Sequence, residues 1–290
     1  MKRAAIIIAV LGMCAGSFGQ SNNKPAGQTS QPAQPAGQAA TAAPQGKRPP
    51  QAKTQPEFEA YKAAAAQTDP AALEKAADDF AAKFPDSELR PLLYRSALER
   101  YQSANNGDKM LEMGQKVLAI DADDPEALVG AAQVIAERTR DTDLDRDQRL
   151  AEAKKDAERS LVTIDTDIPS SGYPPEQLTA YKGFLRSEAY AVLGKLASDA
   201  KNWPEAEASL RKSIDALPQQ PDTLAVYRLA VALDMQNKYP DAMKYADQAV
   251  ELTKDRPDSG LGKAAREEKD RLTKRSMGTA PGQTTAPPKN

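Results

Sequence analysis

Few side chains in this sequence are suited to catalysis. The chain contains no histidine, the side chain that most often serves as a general base and as a transition-metal ligand. Its single cysteine, Cys14, follows Met13 rather than the small residue that lipidation of a bacterial cysteine requires. Carboxylates are plentiful, so a hydrolase that uses Asp or Glu pairs is one alternative, but no catalytic motif accompanies them. The sequence therefore favours a protein that is not an enzyme and that carries no cofactor.

One acidic stretch has the carboxylate spacing of an EF-hand calcium loop. Its five acidic residues are Asp141, Asp143, Asp145, Asp147 and Glu152. Arg146 stands where the motif needs a glycine for its sharp turn, and Arg149 adds a second positive charge. We therefore predict a solvated acidic loop without a metal ion, in which Asp147 caps the following helix.

The first 19 residues have the features of a secretory signal peptide. Lys2 and Arg3 supply the positive charge, residues 4–13 form the apolar core, and the small residues Ser17 and Gly19 precede the expected cleavage site. The apolar run is shorter than the ~20 residues of a spanning helix, and an uncleaved membrane anchor is the alternative. We expect cleavage near Gly19, a mature form without a transmembrane span or a cysteine, and a periplasmic or secreted location.

Composition divides the remaining chain into three parts. Residues 20–55 are rich in Pro, Ala and Gln, so we predict a disordered tether in which Lys47 and Arg48 are solvated. Residues 276–290 have the same character and are predicted to form a disordered tail. Residues 56–275 show helical periodicity, broken at prolines, which predicts about eleven helices. With a formal charge of −2 and no basic block, no nucleic-acid partner is predicted.

The strongest pattern in the helical region is an internal repeat. The turn Asn-Trp-Pro-Glu-Ala at residues 202–206 recurs 36 residues later as Lys-Tyr-Pro-Asp-Ala at residues 238–242. Small residues beside larger ones predict a close crossing of two helices, and a proline ends the second helix. The repeat signature consists of Tyr190, Leu193, Gly194, Ala206, Leu210 and Pro218 in one copy and Leu229, Ala230, Ala242 and Ala249 in the next. Gln236, in the turn between two helices, is expected to tolerate leucine.

These positions resemble the tetratricopeptide repeat (TPR) family closely over residues 187–256 and less closely over residues 56–166. The resemblance implies an all-α fold: a right-handed α-α solenoid of about five helix hairpins, with residues 261–275 as a C-terminal capping helix. It also implies a protein or peptide partner, bound in the concave groove of the repeats. The resemblance does not name that partner. An interaction scaffold and a structural component that helps to assemble outer-membrane proteins or cell-wall complexes are both open.

Projection of the repeat motif onto the inner helices yields a set of candidate groove residues. They are Phe58, Lys62, Arg95, Glu99, Gln102, Val129, Gln133, Glu137, Lys195, Tyr227, Val231 and Met235. Tyr, Arg and Met are typical anchors of protein interfaces, and ordinary solvent-facing positions are the alternative for several of these residues. The set lacks the recurrent Lys and Asn residues with which some members of the family clamp a C-terminal carboxylate, so no ligand of that kind is predicted.

Overall fold

The computed structural model describes residues 47–169 and 174–278, with side chains as far as Arg275. Within these residues the chain forms eleven α-helices and no β-strand. The helices are α1 (Gln55–Ala65), α2 (Pro70–Lys83), α3 (Arg90–Ser103), α4 (Gly107–Leu118), α5 (Pro125–Arg138), α6 (Arg146–Thr166), α7 (Pro175–Asp199), α8 (Trp203–Ala216), α9 (Thr223–Asp234), α10 (Tyr239–Leu252) and α11 (Gly260–Gly278). The predicted signal peptide, the tether as far as residue 46 and the tail from residue 279 lie outside the described residues.

None of the helices in the described ranges combines the length and the apolar character that a membrane span requires.

Side-chain caps and prolines set where several helices begin. Asp69 accepts a hydrogen bond from the Ala72 N–H at 2.9 Å, and Pro70 is the first helical residue of α2. Asp124 caps α5 in the same way, at 2.9 Å from the Ala127 nitrogen and again just before a proline. The carboxylate satisfies an N–H that has no partner within the helix, and proline fits there because it has no N–H to pair.

Within the described residues the helices form five hairpins, and α11 follows the last of them. Each odd-numbered helix up to α9 packs on the even-numbered helix that comes after it. Successive odd-numbered helices also contact one another from α1 to α11, whereas no two even-numbered helices in the described ranges are in contact. The stack is therefore tighter on the side of the odd-numbered helices and curves toward it, so these helices form the inner side. The prediction of an all-α solenoid is confirmed.

The same turn joins the two helices in three of the hairpins. Its central residue has a positive φ, between 56° and 59°. The residues concerned are Asn105, Lys201 and Asn237. The next N–H then reaches back five residues to a helix carbonyl, from Asn202 to Ala197 at 2.8 Å and from Lys238 to Leu233 at 2.9 Å. This is the bond of a Schellman motif, and the left-handed residue gives the repeats a common register.

In this register, the same two positions oppose each other where the helices of a hairpin cross. One lies seven residues before the left-handed residue and the other lies nine residues after it. The three pairs are Leu98–Gly114, Gly194–Leu210 and Ala230–Ala246, and all six residues are buried. Every pair contains at least one small residue, and the large residue changes sides between the first two pairs. Close packing at a helix crossing requires such compensation.

The described part of the predicted tether lies against the solenoid. The Lys47 N–H donates to the Thr166 carbonyl at 3.0 Å, and Lys47 Nζ donates to Asp121 Oδ1 at 3.0 Å. The nearby Arg48 guanidinium pairs with Glu88 at 2.5 Å. Lys47 and Arg48 are exposed to solvent, as predicted, and each also forms an ion pair with a carboxylate near the end of a hairpin.

The last helix covers the end of the stack with apolar residues and buried ions. Ala265 and Leu272 of α11 are buried. Asp234 of α9 is also fully buried, and both Arg271 and Arg275 of α11 form ion pairs with it. The opposite surface of α11 is polar, as a terminal helix of a solenoid must be to remain soluble. The prediction of a C-terminal capping helix is confirmed.

Candidate partner-binding groove

The inner surface of α5, α7 and α9 contains a narrow crevice, which we call the central groove. It is lined by Gln133, Ala136, Glu137, Glu188, Ala191, Val192, Lys195, Asp222 and Arg228. Ala136 and Ala191 are buried, so small apolar residues form the floor and longer polar side chains surround it. Three of the predicted groove residues, Gln133, Glu137 and Lys195, meet here from two hairpins.

Charges of both signs stand side by side in the central groove. Lys195 Nζ lies 2.5 Å from Asp199 Oδ2, one turn further along α7. Asp222 caps α9 by accepting a hydrogen bond from the Leu224 N–H at 3.1 Å. Glu137 is exposed at the C-terminal end of α5. The groove therefore offers acceptors and donors at fixed positions, which suits hydrogen bonds and ion pairs with a bound protein segment.

Nearer the N-terminus, α3 and α5 bring together Glu99 and Glu126, which we call the carboxyl pair. The two side chains are hydrogen-bonded to each other. The Tyr181 hydroxyl of α7 donates to Glu126 Oε2 at 2.5 Å. Beside the pair, Arg95 NH1 of α3 lies 3.3 Å from Asp124 Oδ2. A hydrogen bond between two carboxyl groups needs a proton on one of them, so the carboxyl pair shares one.

Burial and charge both favour this shared proton. Burial, and then repulsion from Glu99, raise the pKa of Glu126 to about 8. Burial also raises the pKa of the Tyr181 hydroxyl well above its ordinary value, and the charge of Glu126 acts in the same direction. Tyr181 therefore remains a hydrogen-bond donor, and the carboxyl pair carries one negative charge rather than two at neutral pH.

Two of the predicted groove residues pack against neighbouring helices instead. Val129 is buried and packs with Ile164 and Leu185 between α5, α6 and α7. Tyr227 is half-buried and packs against the cluster that contains Ala265 of α11. The prediction for Val129 is wrong, and Tyr227 contributes to the contact with the terminal helix. A motif projected along one helix does not show which neighbouring helix covers each position.

The remaining candidates lie on α1, on α3 or toward the end of α9, outside the central groove. On α1, Lys62 Nζ stands 5.5 Å from the centre of the Phe58 ring. On α9, Met235 follows the last helical residue and is 46% exposed. Gln102 and Val231 are half-buried. The partner-binding role of all these residues stays a prediction.

The site contains residues that were not predicted from the sequence. They are Glu126, Tyr181, Glu188, Asp222 and Arg228. Helical spacing was the available signal for four of them. Glu126 precedes Gln133 by seven residues, and Glu188 and Tyr181 precede Lys195 by seven and fourteen. Arg228 precedes Met235 by seven. Seven residues make about two helical turns, so such residues share a face.

The EF-hand-like loop is occupied by an arginine. Arg146 Nε lies 3.1 Å from Asp141 Oδ1, and Arg146 NH1 lies 2.9 Å from Asp147 Oδ1. Asp143 Oδ2 accepts a hydrogen bond from the Arg140 N–H at 2.8 Å. Across the described part of the chain, no three or more Asp, Glu, Cys or His side chains are grouped so as to hold a metal ion.

The start of α6 also differs from the prediction. The helix begins at Arg146, so that Asp145 occupies the capping position and forms no side-chain cap hydrogen bond. Asp147 lies inside the first turn instead, and the prediction that it caps the helix is wrong. Its charge still favours the helix, because the N-terminus carries a partial positive charge. Glu152 is exposed further along α6.

No protein-family model matches the chain, and no curated protein matches it. Among solved structures, it is similar to an assembly chaperone of RpL4 (Acl4, residues 1–338), with 12% sequence identity and a TM-score of 0.37 over 76% of this chain and 98% of that one. It is also similar to a tetratricopeptide repeat protein from Parabacteroides merdae, with 14% identity and a TM-score of 0.34 over 80% of this chain and 95% of that one. At such scores, the fold assignment depends on the helix packing described above.

Proposed function

We propose that this chain is a non-enzymatic interaction scaffold that binds a segment of another protein in the central groove. One arrangement supports the proposal: polar side chains from three hairpins, including Glu137, Lys195 and Arg228, surround a floor of buried alanines. Because the stacked helices hold these side chains in place, binding costs little conformational entropy on the scaffold side.

We further propose that the protein is exported and acts in the bacterial cell envelope or outside the cell. Support comes from the charged, apolar and small residues of the first 19 positions. An envelope-assembly component would use the same groove and would differ only in its partner. N-terminal sequencing of the mature protein should begin near Gln20, and a mature chain that retains Met1 in the cytoplasm would contradict export.

The carboxyl pair is the feature that a carboxylate-based hydrolase would use, because Glu126 has the raised pKa of a general acid. Its hydrogen-bonding positions are already occupied, however, by the Tyr181 hydroxyl and by Glu99. We therefore assign the carboxyl pair to the packing of α3, α5 and α7 rather than to catalysis.

Site-specific photo-crosslinking tests the scaffold proposal. A photoreactive amino acid replaces Glu137 in the central groove or, as the control, Glu158, which is exposed on the outer helix α6. In envelope extracts, the Glu137 position should yield one defined crosslinked protein that excess unlabelled scaffold competes away. The Glu158 position should not yield that protein.

The purified partner then allows a direct measurement of affinity. Charge reversal of Lys195 and Arg228 together should weaken binding by at least about tenfold, which corresponds to roughly 1.4 kcal/mol. Crosslinking from Glu158 but not from Glu137, or an affinity unchanged by the charge reversal, would place the partner elsewhere on the protein.

A further inference from the structure

Residues 47–54 run across the edge of the solenoid where each hairpin connects to the next. This segment, which we call the strap, is not helical and leads directly into α1. Pro49 and Pro50 favour an extended backbone, and neither has an N–H that would need a partner. From Lys47 to Lys53 the strap runs from the third hairpin to the first, opposite to the order in which the hairpins follow in sequence.

At the first hairpin, the strap contacts the loop between α2 and α3. Lys53 Nζ donates to the Asp86 carbonyl at 2.8 Å. Glu88 accepts from the Arg48 guanidinium at 2.5 Å and from the Gln51 N–H at 3.3 Å. Arg48 is 64% exposed and Glu88 is 38% exposed, so this pair alone adds little stability.

Lys47 joins the second and third hairpins. Its Nζ lies 3.0 Å from Asp121 Oδ1, which follows α4, and 2.5 Å from Asp167 Oδ1, at the end of α6. Its N–H donates to the carbonyl of Thr166, the last residue of α6. Burial lowers the pKa of Lys47, but hydrogen bonds to Asp167 and Asp121 outweigh it and raise the pKa overall, so the ammonium stays charged. A positive charge beside the C-terminal ends of two helices also interacts favourably with their dipoles.

We propose that the strap is a releasable clamp that sets the curvature of the first three hairpins, with Lys47 as its lock. Both aspartates lie within 3.0 Å of the same nitrogen, so they are close neighbours that repel each other once Lys47 leaves. Asp121 lies in the loop between α4 and α5, and Asp167 follows α6. Helices α5 and α6 form the third hairpin, and α5 also lines the central groove. Release of the strap therefore lets the third hairpin tilt against the second, which moves the α5 side of the central groove.

Hydrogen exchange of the full-length chain tests the clamp. Lys47→Ala should speed exchange at the C-terminal ends of α4 and α6 by at least about threefold, because those ends then open locally more often. Amides of α8 and α10 should be unchanged and serve as an internal reference. Arg48→Ala is the matched control, since it removes the neighbouring cation of the strap but leaves the second and third hairpins joined. Equal exchange in both variants would overturn the proposal.

Two further measurements separate clamping from a simple lost contact. In Lys47→Ala, the additional change Asp121→Asn removes one of the two repelling charges and should restore slow exchange at both helix ends. Spin labels placed at Lys75 of α2 and Glu158 of α6, in a chain with Cys14 replaced by serine, report the distance across the three hairpins. The distance distribution should broaden or shift in Lys47→Ala and not in Arg48→Ala. An unchanged distribution in Lys47→Ala, or no restoration by Asp121→Asn, would overturn the clamp.

Discussion

Leu210 of α8 packs so closely over Gly194 of α7 that a Cβ atom on Gly194 would stand 2.6 Å from Leu210 Cγ and 2.7 Å from Leu210 Cδ2. Both residues are buried, and rotation of the leucine about χ2 leaves its Cγ in place. The glycine therefore determines how closely α7 and α8 approach. Two other hairpins meet the same steric requirement, with Leu98–Gly114 and with Ala230–Ala246.

Gly194→Ala should destabilise the protein although alanine is the better helix former. The ~1 kcal/mol gained in helix propensity is outweighed by overpacking, which costs about 1–3 kcal/mol and more for Gly194→Leu. Urea unfolding measures the free energy of unfolding of each variant. Gly260→Ala is the control, because no heavy atom lies within 4 Å of the Cβ it would add. A Gly194→Ala variant as stable as the control would contradict the assigned crossing.

The effects of substitutions at Gly194 and Leu210 on stability should be coupled. Leu210→Ala alone leaves a cavity and should cost about 2–5 kcal/mol. In the double variant Gly194→Ala with Leu210→Ala, the crossing has the same two residues as Ala230 and Ala246 in the next hairpin. The double variant should therefore be at least about 1 kcal/mol more stable than the sum of the two single effects. Additive effects would show that the two residues do not share a contact.

Gln236 is more important than its place in a turn suggests. Its Nε2 lies 3.2 Å from the Trp203 carbonyl, 2.9 Å from Glu207 Oε2 and 3.0 Å from the Ala232 carbonyl. It thus connects the end of α9 to the start of α8, and these contacts argue against the expectation that Gln236 tolerates leucine. Gln236→Leu should cost about 1–2 kcal/mol in unfolding free energy, because the half-buried acceptors lose a donor. Gln219→Leu, at an exposed loop position, should change it by less than about 0.5 kcal/mol.

Much of the fold could be predicted from the sequence because its determinants are local. Caps and prolines mark the helix starts, and small residues at a fixed spacing mark the crossings, so the hairpins follow from short stretches of chain. The carboxyl pair and the strap could not be predicted in this way. Tyr181 meets Glu126 only because α5 and α7 lie side by side, and the Pro-rich composition around Lys47 is the same whether that residue is bound or free. Val129 was misplaced for the same reason, since burial depends on which helices surround a position.

The carboxyl pair should make stability depend on pH. The folded-state pKa of Glu126, about 8, lies above its ordinary value of 4.5, so the folded protein retains a proton that the unfolded chain releases. Its contribution is fully present below pH 4.5 and is lost as the pH rises through about 8. Glu126→Gln keeps an acceptor for Tyr181. As the pH rises from 4.5 to about 8, this variant should become more stable relative to wild type. Glu137→Gln, an exposed glutamate on the same helix, should show no such trend, and parallel pH profiles for all three proteins would contradict the shared proton.

Because the carboxylate of Asp234 is buried, removing its arginine partners should cost more stability than removing the carboxylate itself. Asp234 is fully buried, whereas the side chains of Arg271 and Arg275 are 39% and 43% exposed. Arginines that lose their partner can therefore turn to solvent, but the carboxylate cannot. Replacing both arginines by methionine should cost about 3–5 kcal/mol, since it leaves a buried charge without a counter-charge.

Asp234→Asn should cost less, because it removes the charge that needs compensation and keeps a hydrogen-bonding group beside the two arginines. Combining Asp234→Asn with the two methionine substitutions should recover most of the lost stability, although both ion pairs of this site are then absent. Hydrogen exchange across residues 260–275 would show whether α11 detaches in the double methionine variant while the first hairpins stay protected, as expected when each repeat contacts mainly its neighbours. If Asp234→Asn were the more damaging change, the ion pairs themselves would hold α11 in place, and the terminal helix would be attached by attraction rather than by the need to neutralise a buried charge.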